Sequence, residues 1–106
     1  MTNITIFRDK NQNVLGFECI GHAGFGQDVV CAGISILVQN TINSIQTYTE
    51  EGFSCEADEK SGDIRFHFSD VPEHDAALLI NSMILGLQGI QSSYGKKFLR
   101  LQFKEV

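Results

Sequence analysis

Apolar residues recur at two periods along this chain, and the order in which the periods alternate constrains the fold more than any other feature. Thr2 to Arg8 puts Ile4 and Ile6 on one face with Thr5 and Phe7 on the other, and Val14 to Cys19 alternates with Leu15, Phe17 and Cys19 on one face. Both read as strands. Asp9-Lys10-Asn11-Gln12-Asn13 between them is rich in turn formers, so an antiparallel hairpin is the simplest connection. The period then lengthens: Val30, Ile34, Leu37, Val38, Ile42, Ile45 and Tyr48 repeat as on a helix face, with Asp28 a good N-cap, and the helix is expected to reach about Glu50. Phe53 to Ala57 and Asp63 to Asp70 return to alternation and close a second hairpin around Glu59-Lys60-Ser61-Gly62. Pro72 suits a first helical position, and Ala76, Leu79, Ile80, Met83, Leu87 and Ile90 extend a second helix to Tyr94. Gly86 and Gly89 inside it cost about 1 kcal/mol each relative to alanine, which points to close packing against another backbone. Gly95 ends that helix, and Lys96 to Val106 alternates Leu99, Leu101 and Phe103 as a last strand. The order is ββαββαβ, an α+β fold with one largely antiparallel sheet and two long helices packed on it.

A chain of 106 residues buries roughly 65% of its unfolded surface, enough for a core without staples, and the whole of it is expected to form one domain. The N-terminus, MTNITIFRDK, has no basic region followed by an apolar core, and no apolar run approaches membrane-spanning length, so a cytoplasmic protein away from membranes is expected. Three widely spaced cysteines do not form a paired framework and read as thiols with separate roles. A net charge of -5 argues against direct nucleic-acid binding, which needs clustered Lys and Arg, and suits a basic protein substrate.

Chemistry concentrates between Gly21 and Ser35, GHAGFGQDVVCAGIS. His22 stands at the end of a predicted strand and Cys31 in the first turn of a predicted helix, at its third position if Asp28 is the cap. A thiol needs a base to take its proton, and a helix N-terminus favours the thiolate, so both devices for an activated cysteine are available here. Gly21, Gly24 and Gly26 let the backbone bend between the two groups and leave room for another chain to approach. Ser35 lies one turn after Cys31 on the same face, where it could hydrogen-bond near a reacting carbonyl. Plainer readings stand beside these: Cys31 as a buried cysteine of the apolar face, His22 as a strand-end histidine bonded to backbone, and Asp28 as a cap alone rather than an orienter of the imidazole, the reading favoured for it. Cys19 shares its strand face with Phe17 and reads as a small buried hydrophobe. Cys55 has no acid-base partner near it in sequence, and His67 and His74 read as solvated.

Gly21-His22-Ala23, followed after a glycine-containing loop by Asp28-Val29-Val30-Cys31-Ala32 and then Ser35, resembles the signature of the Prp family, the bacterial ribosomal-processing cysteine proteases. The match is specific and extends over the whole chain. It implies His22 as base and Cys31 as nucleophile. It also implies a substrate, the short N-terminal extension of the twenty-seventh protein of the large ribosomal subunit, cut after an aromatic residue and before alanine, and a homodimeric enzyme. On that reading N–H groups from about Val30 to Ala32 supply an oxyanion hole, while Gly21, Ala23, Gly24, Phe25 and Gly26 form the substrate-binding loop. Neither cofactor nor metal is required.

Two other functions compete for the same loop. A phosphate-binding module would use Gly21, Gly24 and Gly26 between strand and helix, but Asp28 stands where the anion would dock and no lysine follows the glycines. A metal site could draw on Cys19, His22 and Cys31, but strand parity sends Cys19 to the core and a fourth ligand is missing.

Overall fold

The computed structural model describes residues 1–21 and 29–106. The elements follow in the expected order: β1 (Thr2–Arg8), β2 (Val14–Ile20), α1 (Val29–Tyr48), β3 (Phe53–Ala57), β4 (Ile64–Phe68), α2 (His74–Tyr94) and β5 (Leu99–Glu105). Five strands form one sheet in the order β3-β4-β2-β1-β5. The pairs β1–β2, β2–β4 and β3–β4 are antiparallel, and β5 joins β1 in parallel, Thr2 opposite Leu99 through Arg8 opposite Glu105. Such a parallel pair needs a long crossover, which the second hairpin and α2 provide on the way.

Alternation decides which face meets the helices. Ile4, Ile6, Phe17, Cys19, Phe66 and Leu99 are all at most 1% exposed and form the sheet side of the core. Their helical partners are Ile34, Val38 and Ile45 of α1 with Ile80, Met83 and Leu87 of α2. The Phe66 ring stacks on Phe17 and Phe53 at centroid distances of 5.2 and 4.9 Å and meets Phe68 edge-on at 5.0 Å. Burying a ring of that size stabilises the fold by about 1.5–3 kcal/mol. The opposite face of the sheet is polar, with Arg65 beside Glu18 at 3.8 Å and Gln102 donating to the Thr5 hydroxyl at 3.1 Å.

Several sequence expectations need correction. A bulge between Phe7 and Arg8 sets Arg8 opposite Val14, so Val14 enters the core where Leu15 was expected, and Leu15 is only half-buried. The tight turn before it explains the shift: Asp9 accepts from the Asn11 and Asn13 N–H groups and Gln12 adopts φ 69°. Pro72 precedes α2 instead of opening it. Glu73 is the N-cap, and its own N–H donates to the Glu51 carboxylate at 2.5 Å. Gly86 makes room for a side chain, not a backbone, since a Cβ there would come within 2.9 Å of Leu37 Cδ1, and Gly89 faces open space. Tyr48 is 77% exposed and leaves the apolar face of α1. Finally, α1 is long and apolar enough by length and composition to cross a membrane, against the expectation from sequence. Its lack of charged residues gives it that hydropathy, while its buried residues form one stripe directed into the core.

Candidate active site

β2 ends at Ile20, and Gly21 turns the chain with φ +73°, a left-handed value that favours glycine. Space reinforces the choice, because a Cβ at Gly21 would lie 3.1 Å from the Met1 carbonyl oxygen. The Gly21 N–H donates to Asp63 Oδ1 at 3.1 Å. His22, Ala23, Gly24, Phe25, Gly26 and Asp28, expected as base, loop and cap, lie outside the described residues.

The helix side is described. α1 starts at Val29, which makes Cys31 its third residue. The first N–H groups of a helix have no intrahelical acceptor, and from Val29 to Ala32 they stand at the positive end of the dipole. The first turn of α1 itself holds no acidic residue. Cys31 is half-buried, Val30 is buried beneath it, Ala32 is exposed, and Ser35 is half-buried one turn on.

The other two cysteines have different surroundings. Cys19 is 1% exposed on the core face of β2. Burial first, then the Asp63 carboxylate and then Cys31, push its thiol up to about 12. Held protonated, Cys19 is a poor nucleophile. Cys55 is exposed on β3, its thiol also pushed up by burial.

Two histidines are described, and neither approaches Cys31. His67 lies on the polar face of the sheet, away from α1, stacked on Phe7 at 5.6 Å above Gly16. His74 is exposed at the start of α2 beside Asp75 at 3.1 Å. It shares a hollow of about 420 Å³ with Tyr48, at the far end of α1 and about 26 Å of helix from Cys31 at 1.5 Å per residue. That hollow is lined by Glu50, Glu51, Glu73 and Asp75 and carries no thiol. A smaller pocket of about 160 Å³ opens one turn from Cys31, where Ser35, Val38 and Gln39 of α1 face Gly62, Ile64 and Cys19. Asp63, beside it, was legible in sequence only as the start of a strand; its bond to Gly21 spans 42 positions and leaves no local signal.

Comparison with known proteins follows the same outline. Residues 1–98 match the family model described as Cysteine protease Prp. A Bacillus subtilis (strain 168) protein named Ribosomal processing cysteine protease Prp is 35% identical over 101 residues, covering 89% of this chain and 90% of that protein. A protein of the same name from Staphylococcus aureus (strain Mu50) is 30% identical over 83 residues, with 78% and 77% covered. Among solved structures, the S. aureus ribosomal processing protease Prp with a covalently linked product peptide superposes with a TM-score of 0.91 at 28% identity, covering 98% of this chain and 100% of that one. The same protease with a substrate peptide gives 0.90 at 27%, with the same coverage.

Proposed function

This chain belongs to the cysteine protease Prp family, and we propose that it removes the short N-terminal extension of a large-subunit ribosomal protein, the twenty-seventh, with Cys31 as nucleophile and His22 as base. The observation that carries this reading is the half-buried Cys31 at the third residue of α1, at the positive end of the helix dipole. His22 takes the Cys31 proton, and the thiolate attacks the carbonyl carbon of the aromatic residue that precedes the scissile bond. The oxyanion formed accepts hydrogen bonds from N–H groups between Val30 and Ala32, with Ser35 one turn away to bond beside it. Protonated His22 then gives its proton to the leaving amine, the C–N bond breaks, and a thioester to Cys31 remains. Water, deprotonated by His22, attacks the thioester and releases the extension as a carboxylate with the thiol restored.

A dyad suffices because a thiolate is nucleophilic near neutral pH, so Asp28 is needed only as a cap. Gly21 and the loop of Ala23, Gly24, Phe25 and Gly26 admit the extended peptide, and a net charge of -5 suits a basic protein substrate. The relatives crystallised with substrate and product peptides support a peptide substrate here. In the same proposal the enzyme works in the cytoplasm and, as the resemblance implies, as a homodimer, without metal or cofactor. Incubation with the ribosomal protein carrying its extension tests the reading. The new N-terminus should be the alanine after the aromatic residue, and Cys31→Ser should leave the protein uncut. Cleavage elsewhere, or by the serine variant at an undiminished rate, would overturn it.

A further inference from the structure

We infer that Asp63 is a positioning residue for the dyad: its carboxylate takes over where the β2–β4 ladder stops and fixes the point from which the chain delivers His22. The inference rests on the protease reading above. The ladder between β2 and β4 runs from Gly16 opposite His67 to Cys19 opposite Ile64 and goes no further. The next bond between the two segments is made by a side chain, Gly21 N–H to Asp63 Oδ1 at 3.1 Å. An N–H bond to a carboxylate is stronger than one to a neutral carbonyl. It holds Gly21 where φ is +73° and the strand direction is abandoned. His22 is the next residue, one Cα–Cα step of about 3.8 Å away.

A clamp is only as good as what holds it. The β3–β4 turn is tied by the Asp58 N–H to the Asp63 carbonyl at 2.9 Å and by the Gly62 N–H to the Asp58 carbonyl at 2.7 Å. The Asp63 N–H donates to the Ser61 hydroxyl at 3.2 Å, and Asp58 Oδ1 accepts from the Lys60 N–H at 2.8 Å. Asp63 therefore projects from a rigid turn, half-buried, beside the pocket that begins one turn from Cys31. The Cys19 sulfur is within electrostatic reach of both Asp63 and Cys31, which brings the carboxylate to the end of the sheet where the nucleophile stands. Asp63 touches no reacting atom in this account. It acts through Gly21 on the approach of His22 to the thiol.

The test uses the full-length protein with Asp63→Ala and Asp63→Asn. Asparagine keeps an oxygen acceptor without the charge, and alanine keeps neither. Because an ångström of misplacement costs on the order of 100-fold, Asp63→Ala should lower kcat for the extension peptide about 10- to 100-fold with KM changed less than about threefold, and Asp63→Asn should stay within about threefold of wild type. Amide hydrogen exchange should show Gly21 protected in wild type and in Asp63→Asn. Wild-type turnover in Asp63→Ala, equal losses in both variants, or an unprotected Gly21 amide in the wild type would overturn the inference, and the last needs no folded alanine variant. Turnover persisting in His22→Ala would remove the dyad and this inference together, whereas a dead His22→Ala beside a fully active Asp63→Ala removes the inference alone.

Discussion

Brief alkylation of the native protein with iodoacetamide ranks the three thiols by their surroundings, and the structure sets the order. Cys19, pushed up to about 12, is almost wholly protonated at neutral pH. At about pH 7.5 its thiolate fraction is roughly 3 × 10⁻⁵, against about 0.1 for an unperturbed thiol with a pKa of about 8.5, a deficit of roughly 3000-fold. A more basic thiolate is intrinsically more nucleophilic, and a Brønsted slope of about 0.45 returns roughly 40-fold of that. Cys19 should thus react about 80-fold more slowly than an ordinary thiol on proton chemistry alone, and its 1% exposure slows it further. Cys55 is exposed but also raised, so it should fall between. Cys31, at a helix start with His22 nearby in sequence, should react first, and His22→Ala should slow it. Quenching a time series with excess thiol and mapping the labelled peptides by mass reads all three rates at once. If Cys55, the more exposed thiol, reacted as fast as Cys31, or if Cys19 kept pace with either, the electrostatic assignment of the nucleophile would fail.

Two further perturbations test the scaffold around the site. Gly16→Ala drives a Cβ into the Phe66 carbonyl oxygen and to 2.6 Å from His67 Nδ1, an overpacking worth about 1–3 kcal/mol; the melting temperature should fall by roughly 5–20 °C for a domain of this size, and an unchanged value would show that the strands yield freely there. Cys19 binds its proton more tightly folded than unfolded, so its contribution is whole below the ordinary thiol value of 9.0 and is lost as pH rises towards about 12. Urea midpoints taken across that window should decline more steeply for the wild type than for Cys19→Val, and parallel declines would contradict the burial of a neutral thiol.

Local patterning made most of the fold legible. Ile4, Ile6 and Phe17 alternate cleanly, Ile34, Val38 and Ile45 share a helix face, and each lies in the core where its period put it. Failures occur where something other than period decides. Val14 displaced Leu15 because a bulge shifted the phase of β2 by one residue, and the sequence shows the turn but not the bulge. The α2 start moved past Pro72 because the Glu51 carboxylate, 22 residues away, accepts the Glu73 N–H. The site divides in the same way. The place of Cys31 at a helix start was readable because the helical period opens at Val30, and the burial of Cys19 because parity sends it inward. Asp63 was not, since a carboxylate that meets a backbone N–H across 42 positions leaves no mark on either segment.

The claim on which the account turns is that Cys31 carries the acyl group. Rapid mixing of the enzyme with excess extension peptide, an acid quench within the first turnovers and intact mass analysis test it directly, because a thioester adds the mass of the N-terminal fragment less one water. A transient adduct should appear that maps to Cys31, forms no faster than the C-terminal product, and is missing from Cys31→Ser. Cleavage without any adduct, or an adduct on Cys19, Cys55 or another side chain, would contradict it.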